Sequence, residues 1–363
     1  MNIDYKGKET YCEIINRAKK IDTSINFADD SLVIHSDNFT AMAAMLDQYR
    51  GKIDLVYIDP PFNTDQIFSF DDNRASTISR PNNGKIAYSD NMTKDEFLKF
   101  MYERFVLIRE LLSEEGSLYV HIDTKMGPYF RIMLDEIFGF ACFRNEITRI
   151  KSNPKNFSRK AYGNQKDTIY FYSKTKNNIW NDIRESLSPA EIEKRFNKTD
   201  SDGRSYTTIP IHAPGETNSN SPTGQPWRGM NPPPGRHWRT DPSEFDRLDN
   251  MGLIEWSSTG NPRIKKYADE HGGKKFQDIW KFKDPQYPIY PTEKNLEMLD
   301  LIIKQSSKEQ SFVMDCFAGS GTTLIAANKN NRRFIGIDSS DVSIEIIKNR
   351  MNDTNYRFLE LTD

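Results

Sequence analysis

An acid, two prolines and an aromatic ring, Asp59-Pro60-Pro61-Phe62, close the apolar run Ile53-Asp54-Leu55-Val56-Tyr57-Ile58. The run has the length and composition of a buried strand. Each proline fixes its own φ and removes a backbone N–H, and Pro61 drives Pro60 out of the helical region. The carboxylate of Asp59 and the carbonyl of Pro60 are therefore acceptors with no adjacent N–H competing for the same partner. With the ring of Phe62 beside them, they form a lip suited to a planar, neutral –NH₂ on a flat heterocycle. A plain Asp-Pro turn accounts for the same residues, so the motif alone leaves both readings open.

A second constellation lies far along the chain. Ser311-Phe312-Val313-Met314-Asp315 reads as a short strand, and Cys316-Phe317-Ala318-Gly319-Ser320-Gly321-Thr322-Thr323 as a glycine-rich turn. Leu324-Ile325-Ala326-Ala327 starts a helix, and Phe334-Ile335-Gly336-Ile337 is a further strand ending in Asp338. Glycines allow close backbone approach, and the N–H groups at a helix start attract an anion. An acid ending the next strand is where doubly wound folds hold a ribose diol. No lysine follows the glycines, so this is not a P-loop, and Leu324 occupies the third-glycine position of the dinucleotide fingerprint.

Together, Asp-Pro-Pro-Phe and Asp-Cys-Phe-Ala-Gly-Ser-Gly-Thr-Thr resemble the catalytic and cofactor motifs of S-adenosylmethionine-dependent DNA amino-methyltransferases. Their order, catalytic motif first and cofactor motif last, resembles the permuted β group of that family. That group includes the modification subunits of type III restriction–modification systems. The resemblance covers both ends of the chain. In the middle, Pro226-Trp227-Arg228-Gly229 and Gly235-Arg236-His237-Trp238-Arg239 are similar to segments of type III-like modification enzymes.

The resemblance implies an α/β fold, a doubly wound Rossmann-like sheet that is mostly parallel with an antiparallel edge hairpin. It implies a permuted motif order and an inserted target-recognition region. Residues 1–145 would form the catalytic half, 146–285 the edge hairpin and recognition insertion, and 286–363 the cofactor-binding half. Asp59, Pro60, Pro61 and Phe62 would be catalytic. S-adenosylmethionine would be held by Asp37, Thr292, Lys294, Asp315, Phe317, Gly319, Gly321, Thr322, Thr323 and Asp338. Within that set, Asp37 would lie at the adenine, Asp338 on the ribose hydroxyls, and the segment of Thr292 and Lys294 at the methionine end. The glycine turn and the N–H groups near Thr322 and Thr323 would receive the cofactor's carboxylate.

The reaction so implied is methyl transfer to N6 of an adenine in double-stranded DNA, flipped out because its amine is hydrogen-bonded inside the duplex. Asp rather than Ser before Pro-Pro implies adenine N6 over cytosine N4, although the lip itself would hold either amine. Ring-carbon methylation needs a cysteine nucleophile, and no Pro-Cys motif occurs. A modification role allows a homodimer, a separate restriction endonuclease partner, and a cytoplasmic, nucleoid-associated location in a bacterial or phage system. Two other classes stay open. A nicotinamide-dependent oxidoreductase would have no use for Asp-Pro-Pro-Phe, and a DNA-binding subunit inactive without a partner would bind DNA without methylating it.

The 363 residues carry 50 Lys and Arg against 52 Asp and Glu, so net charge gives no sign of a nucleic-acid partner. The distribution is more informative. Between Arg144 and Asp284 stand 25 Lys and Arg against 18 Asp and Glu, along with all 5 tryptophans. A basic, aromatic-rich insert fits a DNA-reading segment, with Lys155, Arg159, Lys160, Arg228, Arg236 and Arg239 as candidate contacts to bases or phosphates. An irregular structural insertion is the alternative. Cys12, Cys142 and Cys316 are far apart without C-x-x-C or His pairing, so neither a disulfide framework nor a metal site is expected. No run approaches a membrane span and the first residues are no signal peptide, which fits a reducing cytosol.

The positioning elements follow from periodicity. Leu32-Val33-Ile34-His35 is a strand ending at Asp37, a ligand acid or merely a helix cap. Residues 71–90 read as a long loop beside the site. Thr93-Lys94-Asp95-Glu96 is a capping box opening a helix whose stripe of Phe97, Phe100, Met101, Phe105, Ile108, Leu111 and Leu112 reads as core. Tyr119, His121 and Asp123 lie on the next strand and alternate in facing, so one or two could reach the site, with structural roles expected for each. Residues 146–150 and 167–172 are strands flanking a basic loop, 180–284 read as irregular, and Asn295 precedes a helix from Leu296 to Ser306.

Overall fold

Nine strands form the central sheet of a computed structural model. It describes residues 2–21, 25–27, 30–61, 67–71, 74–77, 85–89, 92–153, 160–284 and 294–361. In chain order the strands are β1 (Leu32–His35), β2 (Ile53–Ile58), β3 (Leu112–Ile122), β4 (Phe143–Ile150), β5 (Lys166–Ser173), β6 (Ile279–Trp280), β7 (Phe312–Asp315), β8 (Arg333–Asp338) and β9 (Arg357–Glu360). Their spatial order is β6-β4-β5-β3-β2-β7-β8-β1-β9. Pairing is parallel except for the hairpin β4–β5 and its junction β5–β3. The sheet is thus mostly parallel, with an antiparallel hairpin towards one edge.

The helices in the same part of the chain as this sheet are α1 (Tyr11–Ala18), α2 (Asn38–Tyr49), α3 (Lys94–Leu111), α4 (Gly127–Phe138), α5 (Leu296–Ser306), α6 (Thr322–Lys329) and α7 (Asp341–Arg350). Thr93 and Glu96 close the capping box of α3 reciprocally, and Asn295 caps α5 by accepting from Met298 N at 3.0 Å. α3 packs among α1, α2 and α4, while α5 packs on α6 and β2. Val56, Ile58, Met314 and Ile335 join the α1–α4 core, and the alternate residues Leu55, Tyr57, Val313 and Phe334 are buried too. Burial of both faces is what a doubly wound parallel sheet requires.

The central feature for function is the junction β2–β7. Leu55 pairs with Val313 and Val56 with Met314, joining strands that are far apart in sequence. Met314 then pairs with Ile335, and His35 with Asp338. The carboxyl ends of β2, β7, β8 and β1 therefore line up, which is where open α/β sheets bind ligands.

The chain divides into two compact units, Met1–Ile183 with Gln277–Asp363, and Arg184–Phe276. The expected middle segment, 146–285, therefore splits: its hairpin belongs to the large sheet, and a separate body begins at Arg184. That body is not irregular, as its sequence suggested. It has a four-stranded antiparallel sheet of Lys198–Thr199, Ser205–Pro210, Pro262–Tyr267 and Ile254–Trp256, and a helix Pro242–Asn250. Its core is Ile211, Trp227, Trp238, Phe245, Ile254 and Ile264. Strands of two to six residues among prolines and glycines carry too little periodicity to be read from sequence. Within 71–90, expected as a loop, the backbone of Arg74–Thr77 and Lys85–Ser89 pairs antiparallel with Ile67–Asp71. Among the described residues no helix is long and apolar enough to cross a membrane.

Candidate active site

The four aligned strand ends deliver four acids, Asp59, Asp315, Asp338 and Asp37, to one cleft of about 450 Å³. Each is held differently. Asp315 accepts from Phe317 N at 3.0 Å and from Thr323 Oγ1 at 2.6 Å. Burial pushes its carboxyl up to about 7; those hydrogen bonds oppose the shift, and the charges of Asp59 and Asp338 add to it. Asp338 accepts from Gly319 N at 2.8 Å and Ser340 N at 2.9 Å, and burial raises it as well. Asp37 caps α2 through Phe39 N and Thr40 N while its other oxygen takes Arg104 Nη2 at 2.9 Å. The cap reading of Asp37 is thus correct geometrically, and Asp37 still lines the cleft.

The glycine turn differs from expectation in one respect. Gly319 and Gly321 have φ of +50° and +76°, which favours glycine, and a Cβ on Gly321 would stand 3.0 Å from Ile347 Cγ1. Their amides, however, are used inside the loop, Gly319 N on Asp338 and Gly321 N on Ala318 O at 2.8 Å. The glycines shape the turn, and α6 begins with Thr322 and Thr323 at the cleft wall. Phe317 lies against Phe100, with ring centroids 6.1 Å apart.

Asp59 is the most unusual of the four. Its Oδ2 is ion-paired with Lys294 Nζ, whereas its Oδ1 is buried with no hydrogen-bond partner among the described residues. Lys294, expected at the methionine end of a cofactor, lines the same cleft, and its ammonium meets Asp59. Pro60 is buried and Pro61 lines the cleft. Tyr57, one side-chain repeat before Asp59 on β2, also lines it, and its hydroxyl lies 2.9 Å from His121 Nδ1. His121 Nε2 faces Asp167 at 3.3 Å, and Lys151 Nζ donates to Asp167 at 2.7 Å. Burial raises Asp167, but the hydrogen bonds from His121 and Lys151 outweigh it and hold the carboxyl far below its usual range. Tyr119 bonds Ser306, and Asp123, just past the end of β3, caps the turn at Met126.

Two cleft residues, Asn38 and Phe100, and Arg104 behind them went unrecognised in the sequence. Asn38 Nδ2 donates to Cys316 O at 2.8 Å and its Oδ1 accepts from Arg104 Nε, tying the start of α2 to the turn after β7. Phe100 packs against the core and also lines the cleft, with the Arg104 guanidinium 3.6 Å from its ring centre. A signal existed: Arg104 sits at helical spacing within the apolar stripe Phe97, Met101, Phe105, Ile108, where a lone cation needs a partner.

Phe62, Thr292, Lys155 and Arg159 lie outside the described residues. Lys160 is exposed. In the smaller unit, Arg228 is held by Asp249 at 2.6 Å and Asp246 at 3.0 Å, beside the buried Trp227. Arg236 and Arg239 are exposed, Arg236 against His212 Nδ1 at 3.1 Å and Arg239 on Pro210 O at 2.9 Å.

A DNA methylase family model covering the N6 and N4 amino-methyltransferases matches residues 53–349, spanning both motif turns. The chain belongs to this family. A type II methyltransferase of Enterobacter cloacae, M.EcaI, is 38% identical over 96% of this chain and 77% of its own length. The Mod subunit of the type III restriction-modification enzyme EcoPI, from Escherichia phage P1, is 25% identical over 87% of this chain and 58% of its own length. The chain thus spans little more than half of that subunit. Among solved structures, the M1.HpyAVI–SAM complex aligns with 88% of this chain and 99% of its own, at 16% identity and a TM-score of 0.46.

As a DNA methyltransferase the protein uses S-adenosylmethionine, and the cleft fits that group on its own terms. The acids at the four strand ends offer acceptors for the amino, ammonium and hydroxyl donors of that group, and the volume is that of a small-ligand pocket. The positive-φ turn leads into a helix start, where N–H groups favour a carboxylate. Among the described residues no cluster of His, Cys, Asp or Glu has the arrangement of a metal site.

Proposed function

We propose that this methyltransferase acts on N6 of an adenine flipped out of double-stranded DNA, with Asp59 and the Pro60 carbonyl as the acceptors of the amino group. The observation carrying this reading is the buried, unpartnered Oδ1 of Asp59 in the cleft lining. An orphaned acceptor costs free energy in the empty fold, and a donor from substrate removes that cost.

S-adenosylmethionine supplies a methyl already activated on sulfur, so no covalent enzyme intermediate is required. The chain's own residues do the rest. Asp59 Oδ1 and the Pro60 carbonyl accept the two N–H groups in the plane of the base. Those hydrogen bonds favour rehybridisation of a nitrogen whose lone pair is delocalised into the ring, and they stabilise the positive charge that grows on it. Positioning that nitrogen against the activated methyl would supply the remaining advantage, with S-adenosylhomocysteine leaving as the methyl is transferred and the surplus amino proton passing to solvent. Phe62 would stack on the base, Asp338 take ribose hydroxyls and Asp37 the adenine of the cofactor.

The body Arg184–Phe276 is proposed as the target-recognition unit. Its arginines support two roles: Arg228 is neutralised by Asp246 and Asp249, whereas Arg236 and Arg239 have no carboxylate partner among the described residues and are available to DNA. The relatives named as modification subunits support a place in restriction–modification, beside a separate endonuclease.

The test is incubation of the purified chain with labelled S-adenosylmethionine and unmethylated genomic DNA, followed by nucleoside mass spectrometry. N6-methyladenine that disappears with Asp59→Ala is the expected result. N4-methylcytosine would retain the mechanism and overturn the base assignment. Absence of any methylated nucleoside, with cofactor still bound, would sink the proposal for this chain acting alone.

A further inference from the structure

Lys294 stands just before Asn295, the residue that caps α5. Asn295 is tied at both ends of its side chain, accepting from Met298 N and donating to Lys283 O at 3.0 Å. The ammonium of Lys294 is therefore delivered from an anchored helix start, and it meets Oδ2 of Asp59. Both side chains are largely withdrawn from solvent, at 10% and 15% exposure, and both line the cleft. Oδ1 of the same carboxylate has no hydrogen-bond partner among the described residues.

A carboxylate without a fixed neighbour can rotate about its terminal torsion and offer either oxygen. Here one oxygen is taken by a cation and the other is left bare, so the plane of the group is set before substrate arrives. The cation also offsets repulsion from Asp315, which feels the charge of Asp59 across the β2–β7 junction. We infer that Lys294 is a positioning residue for Asp59: it grips Oδ2 so that Oδ1 alone faces the amino group of the target base. The inference rests on the role proposed for Asp59 and departs from the role at the cofactor's methionine end implied by resemblance. Lys294 then acts on the chemical step through Asp59, and cofactor binding depends on it little.

Four variants separate these roles: Lys294→Met, Lys294→Arg, Asp59→Asn and the double Lys294→Met/Asp59→Asn. Binding of S-adenosylhomocysteine is measured by calorimetry, and methyl transfer to a DNA duplex in single turnover. Lys294→Met should bind S-adenosylhomocysteine within about threefold of wild type while transfer slows on the order of 10²-fold, the scale of losing one preorganised group. Lys294→Arg should recover part of the rate, because a guanidinium can grip the same oxygen. The double variant should be no slower than Asp59→Asn, since a residue acting only through another adds nothing once that partner is gone.

A tenfold or larger loss of S-adenosylhomocysteine affinity with the single-turnover rate intact would assign Lys294 to the cofactor and overturn the inference. Additive losses in the double variant would also overturn it. If Lys294→Met does not fold, Lys294→Arg and Lys294→Gln carry the same comparison. Wild-type transfer by Asp59→Asn would instead remove the reading of Asp59 itself.

Discussion

At the scale of single residues, the cleft is a set of acids under different constraints. Asp59 has one bare oxygen, so Asp59→Asn, which replaces a charged acceptor, should lower kcat by about 10²–10³-fold with little change in cofactor affinity. Single-turnover kinetics with a separate binding isotherm checks the split. Asp315 gives a stability prediction. Its carboxyl is pushed from the ordinary 3.8 up to about 7 by burial, so the folded state holds its proton more tightly than the unfolded chain does. That difference stabilises the fold fully below about pH 4 and is lost as pH rises towards 7. In Asp315→Asn the corresponding slope should be absent. Chemical denaturation of the ligand-free protein across pH 4–8 would show it, and an unchanged slope would refute the assignment to Asp315.

At the scale of elements, the turn between β7 and α6 is built on backbone conformation more than on free amides. Gly321→Ala places a Cβ against Ile347 in a left-handed conformation, and should cost about 1–2 kcal/mol of stability. The expected sign is a lower denaturation midpoint with an unchanged slope on denaturant. The start of α2 is equally constrained, since Asn38 bonds Cys316 O and Arg104 bonds both Asn38 and Asp37. Helix α3 thereby ties the acid after β1 to the turn after β7. A turn and a helix cap that look independent in sequence form one polar assembly.

At the scale of the whole molecule, two bodies answer to different pressures. The large one buries both faces of its sheet and aligns four strand ends; the smaller uses aromatic residues for its core. Trp227 and Trp238 are buried there, 1% and 3% exposed, so they are core and not base-stacking platforms. The arginines near them divide accordingly. Arg236→Ala and Arg239→Ala should each weaken DNA binding and lower the salt-dependence slope by about 1 if they meet phosphates. Arg228→Ala should leave that slope unchanged and lower the melting temperature, because it removes contacts to Asp246 and Asp249. Fluorescence titrations at several salt concentrations, beside thermal melts, distinguish the two groups.

Sequence by itself determined the strand-and-turn units, because continuous apolar runs ending in Asp-Pro-Pro or Gly-x-Gly have few alternative conformations. It determined the capping box at Thr93 and the start of α5, which depend on residues three or four apart. It also pointed to Asp37, Asp59, Asp315 and Asp338, since each ends or follows a strand. Only the tertiary structure decided what those acids touch. The pairing of β2 with β7 joins positions more than 250 residues apart and brings Asp59 to Asp315. The meeting of Lys294 with Asp59, the burial of Arg104, and the retirement of Trp227 into a core likewise depend on which surfaces close on one another. Local propensity does not encode such closures; long-range burial and the partnering of buried charge select them.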